Sequence, residues 1–430
     1  MRTVSFFAPT KNTRMFHKNA SIKFGSLLWM AMFALAANAQ TTAWNFHQIL
    51  QAALTTHPYM LGKRSAKAAA KDDLDGAQWQ RYPSPSLEAS SQSGGAGLLR
   101  IDQPLWSGGR ITASIDAAGN RLDAAGAAVD EARLDLTLRV IAASTEALRQ
   151  QARQQHGQHG VDEHKKLLAL MERRVAQEVS PLADQNLASS RLYAAANELS
   201  LSTQALTNAL SQLAQLAGEP VTFVASSSTT SANLPISLSQ ESALLQALSV
   251  SPTLRRLAFE EEVANTDIAS KQSAYLPQLV LRLEHSAAGQ VTDNRAMLVL
   301  SAQPGAGLSA RSGVQAALAR REAARLAREA AVRDVRDRVA QDWNDWQASR
   351  TRLENALQAG IMSSDVSNSY ARQFTAGRKS WIDVLNAVRE TTQAEWAVDD
   401  AQAQVLAASL RLAAQTGLLV LSAPTEKSSQ

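Results

Sequence analysis

Ala53-Leu54-Thr55-Thr56-His57-Pro58 is echoed further along the chain by Ala247-Leu248-Ser249-Val250-Ser251-Pro252. The echo continues outward. The interval from Pro58 to Pro83 is repeated from Pro252 to Pro277, Gln103-Pro104 returns as Gln303-Pro304, and Asp184 has a counterpart in Asp383. The spacing between partners grows slightly after Pro277, as a short insertion requires. A period this long describes one large unit duplicated, and not a solenoid of small repeats. The chain divides into a first repeat over 40–218, a connector over 219–240, a second repeat over 241–418 and a polar tail over 419–430.

Composition favours long helices. Aromatic residues make up 5% of the 430, while Ala, Leu, Gln, Ser and Arg dominate, a mixture suited to helices with a narrow apolar seam. The formal charge of +4 sits at the start, where Arg2, Lys11, Arg14, Lys18 and Lys23 occur without an acid before residue 40. The remainder is close to neutral, so it carries no nucleic-acid footprint. The basic residues lead into an apolar stretch from Phe24 to Ala36 and then Ala37-Asn38-Ala39. That pattern is expected of a secretory signal peptide over 1–39; an uncleaved anchor is the alternative, although the stretch is short for a bilayer span. Cysteine is absent, which excludes disulfides, thiolate metal sites and a cysteine nucleophile. An exported chain of this kind is periplasmic, secreted or inserted as a barrel.

Each repeat reads as a short helix pair, a strand pair and a long helical hairpin. Trp44 to Leu54 and Tyr59 to Gln80 are expected helices, divided at Pro58 because proline suits a first helical turn and breaks what precedes it. Strands are expected over 84–92 and 98–105, and in the second repeat over 278–286 and 296–303, with a polar loop around Gly289 and Asn294. Leu279, Leu281 and Leu283 alternate with Val280, Arg282 and Glu284, which puts unlike rows on the two faces. Such strands fit either a tilted membrane barrel or a soluble hairpin. The helical hairpins occupy 110–217 and 308–418. On the first return helix Leu192, Leu199, Leu206 and Leu213 keep a heptad, with Ala196, Thr203, Leu210 and Ala217 expected to fill the intervening position. Gly157 and Gly160 are expected to weaken or bend the outgoing helix.

Little here suggests catalysis. His156, His159 and His164, with Asp162 and Glu163, have helical spacing compatible with a metal site, but are expected to be hydrated on a solvent face. Trp343 and Trp346 are expected to pack, and Trp106 to sit either in an interfacial belt or under the next helix. No phosphate-binding loop, nucleophile elbow, zinc-protease or dinucleotide motif occurs, so neither an enzyme nor a cofactor is expected.

Four strands cannot close a barrel, because the smallest membrane barrels use about eight, and open edges are not tolerated in lipid. Membrane strands would thus require several chains to share one barrel. In this layout, in Gln103-Pro104-Leu105-Trp106-Ser107-Gly108-Gly109-Arg110 at the strand-to-helix junction, and in the tip Phe374-Thr375-Ala376-Gly377-Arg378-Lys379-Ser380-Trp381-Ile382-Asp383, the chain resembles the TolC-like outer-membrane channel family. It looks most like type I secretion components that export adhesins. The resemblance implies a mainly α fold with a small β part, a homotrimer with a 12-stranded β-barrel, and an α-helical barrel reaching from the outer membrane into the periplasm. It also implies a periplasmic adaptor and an inner-membrane ABC transporter, or, for drug or metal efflux, a proton-driven pump. Cargo would pass through the pore. The rival from another class is a periplasmic coiled-coil scaffold without a pore.

The same resemblance implies a gate at the tips. Asp383 would contribute an acidic constriction, while Lys379, Phe374 and Asp184 would tie inner to outer coils in the closed state. Gly377 is the expected turn hinge, free to adopt positive φ. Pro104, Gly108 and Gly109 mark the junction. Asn386 replaces a familiar second acid, Lys379 replaces an arginine and so loses bidentate geometry, and Glu178 with Pro181 stands where the first tip is expected to have glycine. Both Asp184 and Asp383 also suit a helix N-terminus, where the macrodipole favours carboxylates.

Overall fold

Proline placement explains how each repeat begins. The computed structural model describes residues 44–90, 96–222, 224, 239–288, 291–302 and 309–419. Helix α1 (Phe46–Thr56) starts with a reciprocal cap between Asn45 and Gln48. Helix α2 (Pro58–Trp79) follows with Pro58 in its first turn and His57 Nδ1 accepting from the Tyr59 N–H. The second repeat does the same: α5 (Gln240–Val250) is capped by Ser239 and Ser242, and α6 (Pro252–Gln272) starts at Pro252 with Ser251 as its cap. Each proline lacks an N–H at a position where the helix has no acceptor for one.

Strands β1 (Ser84–Ser90), β2 (Ala96–Trp106), β3 (Gln278–Ala288) and β4 (Val291–Ser301) form one antiparallel sheet in the order β1-β2-β3-β4. The β2–β3 pairing joins the two repeats, and a bulge falls between Pro104 and Trp106. The fourth strand starts earlier than expected. Asn294 is not in a loop: it pairs with His285, and Asp293 pairs with Ser286. Polar residues here line a strand face rather than a turn.

The long hairpins are α3 (Arg110–Ala176) with α4 (Leu182–Ala217), and α7 (Ala310–Thr375) with α8 (Trp381–Gln415). At 67 residues, α3 reaches about 100 Å. Gly157 and Gly160 do not interrupt it. They are buried, and a Cβ on Gly160 would lie 2.8 Å from Thr392 Oγ1. Instead of interrupting their helix, these glycines admit its neighbours. On α4 Ala188, Ser202, Ala209 and Leu216 form a buried row. Of the expected intervening positions Ala217 is buried and Leu210 half-buried against the core, while Ala196 and Thr203 are exposed. Toward the tip the seam thus lies one residue earlier than expected, because a heptad of leucines leaves open which side its second row takes.

The main core gathers Ile49, Leu50 and Leu54 of α1 against Leu136, Val140 and Ile141 of α3 and Leu213 of α4. A smaller one sets Ala243 and Ala247 of α5 against Val339 of α7 and Leu412 of α8. Trp343 packs beside it, with its ring 5.2 Å from that of Trp346. Salt-bridged polar groups fix register between layers: Arg256 of α6 reaches Glu131 of α3 at 2.6 Å, and Arg411 of α8 reaches Asp342 of α7 at 2.7 Å. The segments 1–43, 225–238 and 420–430, which hold the expected signal peptide, most of the connector and the tail, fall outside the described residues, as do Gln303 and Pro304.

Candidate functional site: the sheet faces and the helical tips

Residues directly opposed in an antiparallel sheet lie on one face, so the register sorts the side chains. Leu87, Leu99, Ile101, Leu281, Leu283, Leu298 and Leu300 share the first face, with Gln103 and, toward the β3–β4 end, His285 and Asn294 among them. The charged side chains Glu88, Arg100, Asp102, Arg282, Glu284, Asp293 and Arg295 share the second. On the apolar face Leu87 is 79% exposed and Leu298 65%. Among the described residues no helix packs on that face. On the opposite face Arg282 donates twice to Asp102, at 2.8 and 3.0 Å, and Arg100 donates to Glu284 at 3.0 Å. Strands β1 and β4 each have one partner strand among the described residues. No described helix is long and apolar enough to cross a membrane.

The junction from β2 into α3 depends on two left-handed residues. Gly108 has φ 61° and Gly109 φ 87°. A Cβ on Gly108 would stand 2.8 Å from Leu276 Cβ, so this turn needs glycine for both conformation and space. The Gln103 amide bridges Arg81 O and Pro104 O at the bulge, donating at 3.0 and 2.9 Å. Trp106 is 47% exposed, so it is not buried under the helix start.

At the other end, α3 and α7 finish in the same way. Val179 N–H returns to Arg174 O and Arg378 N–H to Gln373 O, at 2.9 and 2.8 Å. These are six-residue closing bonds that place one left-handed residue past the helix. In the second tip that residue is Gly377, φ 73°, as expected; in the first it is Glu178, φ 58°. The two turns share a geometry, and the first adopts it without glycine.

The tips are tied by an apolar cluster the sequence did not reveal as a unit. Met171 and Ala188 of the first hairpin bury against Trp381 and Leu385 of the second, with Phe374 packed on them. The Phe374 ring lies 5.3 Å from that of Trp381, and the Arg174 guanidinium 5.2 Å from its centroid. Phe374 of α7 thus lies against Arg174 of α3. From sequence Trp381 is legible only as the residue after a cap, since Met171 and Ala188 lie some two hundred positions away.

Asp383 caps its own helix. Its carboxylate accepts from Ser380 N–H at 3.3 Å, while its N–H donates to Ser380 Oγ at 3.2 Å. Hydrogen bonding with Ser380, aided by the Lys379 charge, holds this carboxyl below its ordinary value. Lys379 Nζ sits 3.9 Å from Asp383 and 4.1 Å from the Tyr370 ring centre. Asp184 lies in the first turn of α4, its carboxylate with no hydrogen-bond or ion-pair partner among the described residues. Within one chain Lys379 thus turns to Asp383 and Tyr370 and not to Asp184.

Of the three histidines His159 faces solvent as expected, its side chain 64% exposed, while the other two do not. His156 meets Asp399 at 2.8 Å, and His164 is 4% exposed, with burial foremost and then the charge of Arg191 pushing its imidazole below the ordinary value. Both face neighbouring helices. Among the described residues no group of side chains could hold a metal ion.

Known proteins can now be set beside this arrangement. No curated protein matches the chain by sequence. VceC from Vibrio cholerae superposes with a TM-score of 0.74 at 18% identity, over 86% of this chain and 96% of that one. The open state of the MtrE outer membrane channel from Neisseria gonorrhoeae gives 0.72 at 16%, over 86% and 88%. The CmeC outer membrane channel from Campylobacter jejuni gives 0.73 at 13%, over 96% and 94%. At such identities the likeness is one of fold. The family model for outer membrane efflux proteins matches residues 49–219 and 243–418, one match per repeat. The chain belongs to the outer membrane efflux protein family, as a transport component of the outer membrane that extends into the periplasm and not as an enzyme.

Proposed function

We propose that three copies of this chain close a single barrel and serve as the exit duct of a tripartite export machine for type I protein secretion. The observation that carries the assembly is the sheet. It has four strands, an uncovered leucine face, a charged opposite face and a strand at each end with one partner. Three sheets joined edge to edge leave no edge in lipid. They turn the leucines outward and the arginines and carboxylates toward water, the alternation a membrane barrel requires. A pore-free scaffold gives no reason for either face. The helical hairpins continue from the strands and carry the duct across the periplasm to an adaptor at the tips. Energy comes from an inner-membrane transporter, because this chain has no nucleotide-binding motif.

Protein secretion rests on the resemblance of the second tip, Phe374 to Asp383, to adhesin-exporting components. Small-molecule efflux is the second reading, favoured by the description of the matching family. The two differ in partner more than in duct. Gating follows the same resemblance: three copies of Asp383 around the axis would repel one another and attract cations, while the Phe374–Trp381–Met171 cluster and Lys379 hold the tips closed.

Extraction tests the assembly. A detergent-requiring, heat-modifiable trimer that conducts ions in planar bilayers is expected, and a water-soluble monomer would sink the proposal. Co-purification decides the machine: an ABC transporter supports secretion, and a proton-driven pump transfers the duct to efflux.

A further inference from the structure

Between α4 and α8, with α3 as its floor, lies a cleft of about 170 Å³. Gly157 and Gly160 form the floor, and their lack of side chains lets α3 approach Leu199, Trp396 and Thr392 closely. The walls carry Arg191 and Glu198 from α4 and Arg389, Thr392 and Trp396 from α8. His164 closes the inner end. It is 4% exposed, and its Nδ1 is buried with no hydrogen-bond partner among the described residues.

The charges in this cleft are unspent. Several arginines elsewhere on the long helices are paired, as Arg139 is with Asp135, Arg325 with Glu322 and Arg411 with Asp342. Among the described residues neither Arg191 nor Arg389 has an ion-pair or hydrogen-bond partner, and Glu198 has none either. Two guanidiniums and one carboxylate leave the lining with one net positive charge. Thr392 adds a hydroxyl, and the indole of Trp396 gives an apolar wall.

We propose that this cleft binds a carboxylate, with Arg191 and Arg389 as the anchoring cations. A planar guanidinium matches a carboxylate in two parallel hydrogen bonds, and the single net charge suits a monoanion better than a phosphate dianion. Trp396 takes the aliphatic or aromatic body that carries the acid. The bound group bridges return helices that otherwise barely touch, and so clips the two hairpins together a few turns from their tips. This inference concerns one chain and stands independently of the barrel and of the exported cargo.

Calorimetry on the purified full-length protein in detergent tests it, at constant ionic strength, with acetate, benzoate, inorganic phosphate and a hexaglutamate peptide as probes. Benzoate is expected to bind more tightly than acetate, and both more tightly than phosphate. Binding by hexaglutamate alone would place the carboxylate on a polypeptide rather than a free acid, with the same anchors. Arg191→Gln and Arg389→Gln should each weaken binding at least tenfold, whereas Glu198→Gln should tighten it. Arg352→Gln, in a separate cleft with Asp345 and Arg411, should change nothing. That opposition of signs separates a binding role from loss of fold. No heat with any carboxylate, equal binding of chloride, or affinities unmoved by the Arg191, Arg389 and Glu198 variants would overturn the proposal.

Discussion

The Nδ1 of His156 lies 2.8 Å from an oxygen of Asp399, and this contact fastens the outgoing helix of the first hairpin to the return helix of the second. The carboxylate side is 4% exposed and the imidazole 40%. Around it Arg149 and Arg153 approach Asp400 at 3.6 Å, and the Trp396 indole donates to Arg153 O at 3.1 Å. The hairpins are therefore joined by a polar seam as well as by apolar packing.

That seam has a pH signature. Burial pushes the Asp399 carboxyl above its ordinary value, with the hydrogen bond and charge of His156 opposing. An unfolded Asp titrates near about 3.9. Between that value and the higher folded one, the native chain holds more protons than the unfolded chain. Stability from this group thus falls as pH rises through the window and is level above it. Asp399→Asn keeps an oxygen for His156 and removes the titration. Relative to the parent, the variant should be better placed at neutral pH than near about pH 4. Urea midpoints measured at both values check this, and an unchanged difference would remove Asp399 from the pH dependence.

How much of this was legible follows from how local each cause is. Pro58 and Pro252 announced helix starts because a proline acts on its own turn. Gly377 announces a left-handed residue for the same reason, and Gly108 with Gly109 marks the junction whose left-handed turn the structure then shows. Glu178 did not, since nothing in a glutamate marks positive φ; only alignment of the first tip with the second reveals it. The start of β4 was misjudged because Asp293 and Asn294 resemble loop residues until a partner strand shows which face they line. Gly157 and Gly160 were read as weak points, yet their role depends on Thr392 and Trp396, far away in sequence. His156 and Asp399 could not be paired from spacing at all.

The two tips offer a direct comparison of backbone strain. A non-glycine residue in the left-handed region costs about 1–2 kcal/mol, offset by the greater freedom glycine has when unfolded. Glu178→Gly should therefore stabilise the chain by about 0.5–1 kcal/mol. Gly377→Ala should destabilise it by about 1 kcal/mol. Thermal unfolding of both variants checks the pair. Equal effects of one sign would mean that the turns are not equivalent.

Gly160 tests the close approach of α3 to α8. A Cβ there would meet Thr392 Oγ1 at 2.8 Å but Thr392 Cβ at 3.6 Å. Gly160→Ala alone should cost about 1–3 kcal/mol through overpacking, despite the better helix propensity of alanine. Adding Thr392→Ala removes the near atom and leaves an ordinary contact. The double variant should then recover and exceed the parent by up to about 1 kcal/mol, the propensity difference. A cycle with no coupling between the two sites would show that the helices separate instead.

Asp383 is both a helix cap and the proposed pore acid, and the two roles separate in measurement. Asp383→Asn retains an oxygen that can accept from Ser380 N–H but carries no charge. As a cap it is nearly conservative; as a pore ring it is not. Planar-bilayer recordings should show the cation-to-anion permeability ratio falling severalfold, with trimer yield maintained. An unchanged ratio would confine Asp383 to capping.

The two faces of β4 decide between barrel and soluble sheet, because Leu298 and Val299 are neighbours in sequence and point opposite ways. Leu298 pairs with Leu281 and Val299 with Val280. In the barrel Leu298 meets lipid, and Leu298→Lys should cost up to about 2–4 kcal/mol, depending on its depth. Val299→Lys places the same charge one residue along, on the face that carries Arg282 and Glu284, where water is available. It should leave assembly largely intact. The readouts are the yield of heat-modifiable trimer and its unfolding midpoint in lipid. If both substitutions were tolerated alike, both faces would be meeting water. The leucine row would then not be facing lipid.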